Sequence, residues 1–252
     1  MDIEKLNNDI GLLRKRIIIP IVSIILLVTL LGVNYWWLNS IVKVNTDLLI
    51  GIYLIISMGF VFLLYYYKEK VSIYYNQYSY LLMVKDNLGY IPLKANVLDS
   101  VWDAKVIKLG FKLYEDSNFL KIYYTLSNQN QNYKNIKSTI IFLVILKTDK
   151  IDFYGSHIQA VIRSVMEQNE SRNQIKGEIV LQFMDYDQTE ADGISNAQKI
   201  INYKSNRYFI VHITAAILRH KNKWYYLRPI RRYPNRYYYE SCQIMNQLCQ
   251  LD

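Results

Sequence analysis

Two stretches near the start of the chain, residues 17–38 and 48–67, contain no Asp, Glu, Lys, Arg or His. Their most polar members are Ser23, Thr29 and Asn34 in the first and Ser57 in the second. Globular helices rarely stay uncharged on every face over such a length, so these runs read as membrane spans rather than core helices. At ~1.5 Å of rise per residue, 22 and 20 residues each reach across a hydrocarbon core of roughly 30 Å. A signal peptide fits the first run poorly, because such apolar regions are shorter and no small-residue cleavage site follows. Tyr35, Trp36 and Trp37 close one run and Tyr65, Tyr66 and Tyr67 the other, where amphipathic rings favour the headgroup layer.

Flanking charge predicts the orientation. Among cations, Lys5, Arg14, Lys15 and Arg16 precede the first run, Lys68 and Lys70 follow the second, and the connector 39–47 holds only Lys43. The expected arrangement is a hairpin crossing the cell membrane twice, with both termini in the cytoplasm.

Ahead of the first run, Ile3, Leu6, Ile10, Leu13 and Ile17 recur at alternating spacings of three and four. Residues 1–16 therefore predict a cytoplasmic amphipathic helix, lying on the inner leaflet or on the protein's own domain, or joining copies as a short coiled coil. Beyond the second run, Val71, Tyr74, Tyr75, Tyr78, Leu81 and Leu82 keep helical spacing. Residues 68–85 then form a helical stalk, ended by a loop at 86–94 that contains Gly89 and Pro92.

The remainder, 86–252, mixes periods of two and of three to four. Asn96 or Asp99 caps a helix that Gly110 terminates. Strands are expected at 119–126, 139–146, 178–184, 208–218 and 224–230, the last two joined by a turn at Lys221, Asn222 and Lys223. Ser156 and Gln159 have the spacing of a capping box, and Asn235 caps a final helix. This order predicts a single α+β domain with a mostly antiparallel sheet.

Charge supplies the best functional clue. The net charge is +9, yet residues 193–239 hold ten cations and no carboxylate, so the rest of the chain sums to about −1. The candidate contacts for an anionic partner are Lys221 and, in the sequence KWYYLRPIRRYPNRYYY that starts two residues later, Lys223, Trp224, Arg228, Arg231, Arg232 and Arg236. One reading is a solvated sheet face. Another is docking on the anionic inner leaflet, where each cation is worth ~1 kcal/mol. The third is an acidic protein, a nucleotide or a nucleic acid, although no RRM, KH or helix-turn-helix signature is present. The acidic cluster Asp185, Asp187, Glu190 and Asp192 fails the EF-hand pattern, with Glu190 where Gly and Asn196 where Glu would stand. It reads as a solvated loop or as an internal partner of the basic segment.

Catalytic templates are missing. His157, His212 and His220 form no H-E-x-x-H motif, and neither paired Cys-x-x-Cys nor phosphate-cradling glycine motifs occur. Asp152 and Glu178 could serve a nuclease-type metal site, but Val180 stands where a lysine would be needed. Cys242 and Cys249 lie ~10 Å apart along one helix, beyond disulfide reach. No cofactor is indicated. The expectation is a membrane-anchored, non-enzymatic binding or scaffold protein engaging anionic lipid headgroups or an acidic partner. The alternative is a ligand-sensing effector whose hairpins form a homo-oligomer and perturb the bilayer. An enzyme of unfamiliar type comes third, and it would need a polar pocket around Asp152, Glu178 or His212.

Overall fold

The structure, a computed structural model, describes residues 3–42, 46–93, 99–133, 135–136, 138–148, 152–173, 175–186, 189–204 and 208–249. Lys43, Asn96, Asp187 and Arg207 lie outside the described residues. The chain forms two compact units, residues 1–85 and 86–252.

The first unit is a pair of long helices. α1 (Ile3–Trp37, 35 residues) passes through a π-helical turn, Leu38–Val42, and α2 (Thr46–Lys85) runs for 40 residues. Residues 3–16 are thus not a separate amphipathic helix but the first turns of α1. No Gly or Pro interrupts the chain from Leu12 to Ile19, and Pro20 is accommodated inside the helix.

Three contacts show that α1 and α2 run antiparallel. The Lys85 ammonium donates to Asn7 Oδ1 at 2.6 Å. The Arg16 guanidinium lies 5.5 Å from the centre of the Tyr74 ring. The Tyr53 hydroxyl donates to Asn34 Oδ1 at 2.8 Å. Leu6, Ile10, Leu13, Ile17, Pro20 and Ile24 are the covered side of α1, and Tyr53, Phe60, Tyr67, Val71, Tyr74, Tyr78 and Leu81 lie on the covered side of α2. These steps of three, four and seven make one coiled-coil-like seam that continues past the apolar runs into the polar part of each helix.

Away from the seam the described apolar side chains are largely exposed, with Ile55 at 73% and Phe62 at 74%. Both helices are long and apolar enough to cross a membrane.

The second unit is built on a mixed eight-stranded sheet ordered β1-β8-β7-β5-β4-β3-β2, with β6 also pairing to β7. Its strands are β1 (Ile91–Pro92), β2 (Lys112–Asp116), β3 (Leu120–Leu126), β4 (Thr139–Leu146), β5 (Gly177–Asp185), β6 (Ile201–Lys204), β7 (Phe209–Leu218) and β8 (Lys223–Tyr225). The helices of this unit are α3 (Ser100–Lys108), α4 (Ser156–Asn173), α5 (Glu190–Gln198) and α6 (Arg236–Cys249).

The expectation of a mostly antiparallel sheet is corrected here. β4, β5 and β7 are parallel along their whole paired length, and antiparallel strands flank them on both sides. The cause is connectivity: α4 carries the chain from the end of β4 back to the start of β5, and a helical crossover of this kind makes neighbours parallel. β4 shows the consequence, being buried at all eight positions.

α4 and α5 share a core with one sheet face through Ile158, Val161, Ile162, Val165 and Ala197. On the other side, Trp102 of α3 meets the Phe183 ring edge-on and donates through Nε1 to the Leu248 carbonyl of α6 at 2.7 Å.

Local signals set several boundaries. Asp99 accepts from the Trp102 N–H at 2.7 Å, and Asn235 from the Tyr238 N–H at 2.9 Å, capping α3 and α6. Gly110, at φ +90°, follows α3 where an added Cβ would sit 2.5 Å from the Asn130 amide. Ser156 does not occupy a cap: it is the first residue of α4, and the Gly155 carbonyl accepts from Gln159 N–H at 3.1 Å. Strand 224–230 shrinks to β8, while β1, β2, β6 and α5 are elements beyond those expected from sequence.

Candidate functional site

The fold distributes the basic segment instead of gathering it. Lys221 pairs with Glu190, which also accepts from the Tyr90 hydroxyl at 2.8 Å, and these two donors hold the Glu190 carboxyl below the ordinary range. Arg219 Nε donates to Asp185 at 2.7 Å. The acidic cluster is therefore in part an internal partner of the basic one, and its second half is helix α5 rather than loop. Lys223 lies 5.8 Å from the Tyr90 ring centre.

Trp224 requires a correction. It is 0% exposed, stacked 4.6 Å from Tyr226, so it belongs to the core and touches no external partner. Arg228 is half-buried and donates to Asn246 Oδ1 at 3.0 Å. The backbone N–H groups of Arg231 and Arg232 both donate to the Asp86 carboxylate, at 2.7 and 2.9 Å, leaving their side chains exposed. Those N–H bonds and the two nearby guanidinium charges pull the Asp86 carboxyl down. Arg236 is exposed, 3.8 Å from Glu240 one turn along α6.

Position separates these groups further. Lys221 and Lys223 stand beside Leu218 at the end of β7. Tyr237, next to Arg236, stacks 3.5 Å from Phe209 at its start, and Lys204 lies over the same Tyr237 ring. A ten-residue strand places its ends ~30 Å apart. The candidate cations do not form one patch.

A more enclosed feature lies where β4 and β5 end. A cleft of about 470 Å³ is lined by Leu146, Asp152, Phe153, Tyr154, Met184, Tyr186, Thr189, Asp192, Asn196, Lys199 and Thr214. The carboxyl ends of parallel strands are the usual ligand position in α/β sheets, because crossover helices begin there and leave a crevice.

Each wall has a local cause. After β4 the chain turns at 152–155, where Asp152 Oδ1 accepts from the Tyr154 N–H at 3.1 Å and the Asp152 carbonyl from the Gly155 N–H at 2.9 Å. That turn carries Asp152, Phe153 and Tyr154. Opposite, Asp192, Asn196 and Lys199 recur at helical spacing along and just past α5. Gly193 lets α5 approach the Tyr186 ring, since an added Cβ would lie 2.7 Å from Tyr186 Cγ. Asn196 donates to the Tyr186 hydroxyl at 3.1 Å and accepts from Lys199 Nζ at 3.0 Å.

The floor is polar and buried: the Thr214 hydroxyl donates to Gln182 Oε1 at 2.7 Å. Beyond it, His212 Nε2 lies 3.1 Å from Glu178 Oε1, and Tyr154 stacks parallel to the His212 ring with centroids 6.2 Å apart. His212 is 4% exposed, and its Nδ1 has no hydrogen-bond partner among the described residues. Of the acids named from sequence, Asp152 lines the cleft, whereas Glu178 pairs with His212 near the start of β5. The parallel register, which sets Val180 beside His212, brings that pair together and is invisible in sequence spacing.

The electrostatics favour binding of hydrogen-bond donors. Burial raises the Tyr186 phenol, and the charges of Asp152 and Asp192 raise it further, so both carboxylates act on one end of the cleft. Burial first and then Asp152 raise Tyr154. Both phenols stay protonated at neutral pH. Among the described residues no group of three or more His, Cys, Asp or Glu side chains is placed to hold a metal ion. Cys242 and Cys249 are free and buried in α6, and desolvation raises both thiols, which suppresses thiolate chemistry. No known family, curated protein or solved structure matches this chain.

Proposed function

We propose that the protein is a membrane-anchored binding module that responds to a small ligand held in the cleft of its α+β domain, and that works by occupancy rather than turnover. α1 and α2 cross the cell membrane as a hairpin, with both termini and the domain on the cytoplasmic side. The uncharged runs, their aromatic ends and the flanking cations support that topology.

The observation that carries the reading is the unbroken helix. From Tyr67 to Lys85, α2 continues as ~27 Å of helix beyond the apolar run, paired along a seam with α1. A continuous helical pair of this kind suits a module that couples the state of a domain to the packing of its spans. It suits leaflet docking less well. Only part of the basic segment is open to a surface: the Arg231 and Arg232 side chains are exposed, whereas Arg228 is half-buried against Asn246. Lys221 is moreover already paired inside the fold.

Two measurements test the proposal. In sealed cells, a Lys43→Cys variant should react with an impermeant maleimide from outside, and Asn222→Cys only after permeabilisation. Full-length protein in nanodiscs should gain thermal stability from some member of a panel of nucleosides, amines, sugars and amino acids, and Asn196→Trp should abolish the gain. Reversed labelling, or a panel without effect, would overturn it.

A further inference from the structure

The lining of the cleft narrows what it can hold, and this step rests on the binding reading above. We propose that the cleft takes a planar amino-heterocycle, a nucleobase-type ring whose N–H donors meet Asp152 and Asp192 and whose face stacks on Tyr154.

Three features of the cleft lead there. Its charged groups are two carboxylates and one ammonium, so a bare anion is repelled and a donor-rich edge is attracted. A carboxylate facing adjacent ring N–H and amino donors forms short, charge-assisted hydrogen bonds, and a guanine-type edge offers that pair. Adenine offers only its amino group on that side, and uracil a single ring N–H.

Second, Tyr154 is a platform and not part of a cage. One side of its ring lies against His212, yet the residue is 39% exposed and lines the cleft. Phe153 and Tyr186 are buried, so no ring of exposed aromatics surrounds a cation as ammonium-binding cages require. A single open face favours a flat partner.

Third, the size agrees. A volume of about 470 Å³ falls within the 300–1,000 Å³ typical of small-molecule sites. Lys199 donates to Asn196 and retains further donors, which can serve a phosphate if the ring arrives as a nucleotide.

The test uses full-length protein in nanodiscs of neutral phosphatidylcholine and isothermal titration with guanosine, GMP, adenosine, uridine and spermidine. Guanosine should bind at least tenfold more tightly than uridine. Asp192→Asn, at an exposed helix position, and Tyr154→Leu should each weaken guanosine tenfold or more. Asp152→Asn keeps the oxygen that accepts from Tyr154 N–H and should do the same, with circular dichroism confirming the fold. Ser195→Ala, on the exposed side of α5 and outside the cleft, should leave guanosine unchanged. Lys199→Gln should weaken GMP more than guanosine if the ring arrives as a nucleotide, and both alike if it arrives as a nucleoside or free base. Purine binding that survives both Asp→Asn changes overturns the assignment. Spermidine binding without purine binding also overturns it, while leaving the small-ligand reading intact. No binding by any probe defeats the heterocycle assignment, and the broader panel above then decides the reading beneath it.

Discussion

The buried pair under the cleft permits a quantitative test. Thr214 and Gln182 are both buried, and the threonine hydroxyl donates to Gln182 Oε1 at 2.7 Å across the parallel β5–β7 pair. Thr214→Val keeps the side-chain shape but deletes the donor, leaving a desolvated amide oxygen facing a methyl group. An unsatisfied buried polar group costs ~1–3 kcal/mol. For a chain of this size each kcal/mol moves the midpoint by roughly 2–4 °C, so the melting temperature should fall by about 2–12 °C. Adding Gln182→Met removes the stranded acceptor as well. The double variant should return to within ~1 kcal/mol of wild type, because replacing both partners by apolar groups of similar shape is nearly neutral. The assay is thermal unfolding of full-length protein in nanodiscs, followed by near-ultraviolet circular dichroism. A single variant within about 1 °C of wild type, or a double variant no better than the single, would refute this account of the floor.

Gly193→Ala should destabilise the domain by ~1–3 kcal/mol through overpacking against Tyr186, measured as a lower urea midpoint, whereas Ser195→Ala on the exposed side of α5 should be near neutral. Asp86 has a depressed carboxyl, so its contribution is complete above the unfolded value of ~4 and disappears as pH falls through the lower folded value. The gap in urea midpoint between wild type and Asp86→Ala should therefore be constant at neutral pH and close on acidification; a gap that widens in acid contradicts the assignment. Leu13→Ala in the seam should speed amide exchange in the flanking turns of α1, and Leu12→Ala, one position away and exposed, should not.

The elements that could be read from sequence are those specified by neighbours a few residues away. The uncharged runs, the steps of three and four from Leu6 to Ile17, the caps Asp99 and Asn235, and Gly110 after α3 all depend on local periodicity or a single backbone conformation. Residues 139–146 were legible as a strand for the same reason, whereas their burial at all eight positions was not.

Pairing was not legible, because it depends on where a crossover returns the chain. The three parallel strands, the Glu178–His212 contact and the cleft between the 152–155 turn and α5 join residues some 30 to 60 positions apart. Trp224 shows the limit from the other side: amid cations it reads as an interface residue, and only the β7–β8 pairing places it in the core. Composition and periodicity by themselves determined a hairpin of two apolar helices, each able to span a bilayer, ahead of an α+β domain, because such signals act within a turn or a strand. The tertiary structure alone decided which charges are used up internally and which groups converge on a cleft, because those outcomes rest on long-range register that no local pattern encodes.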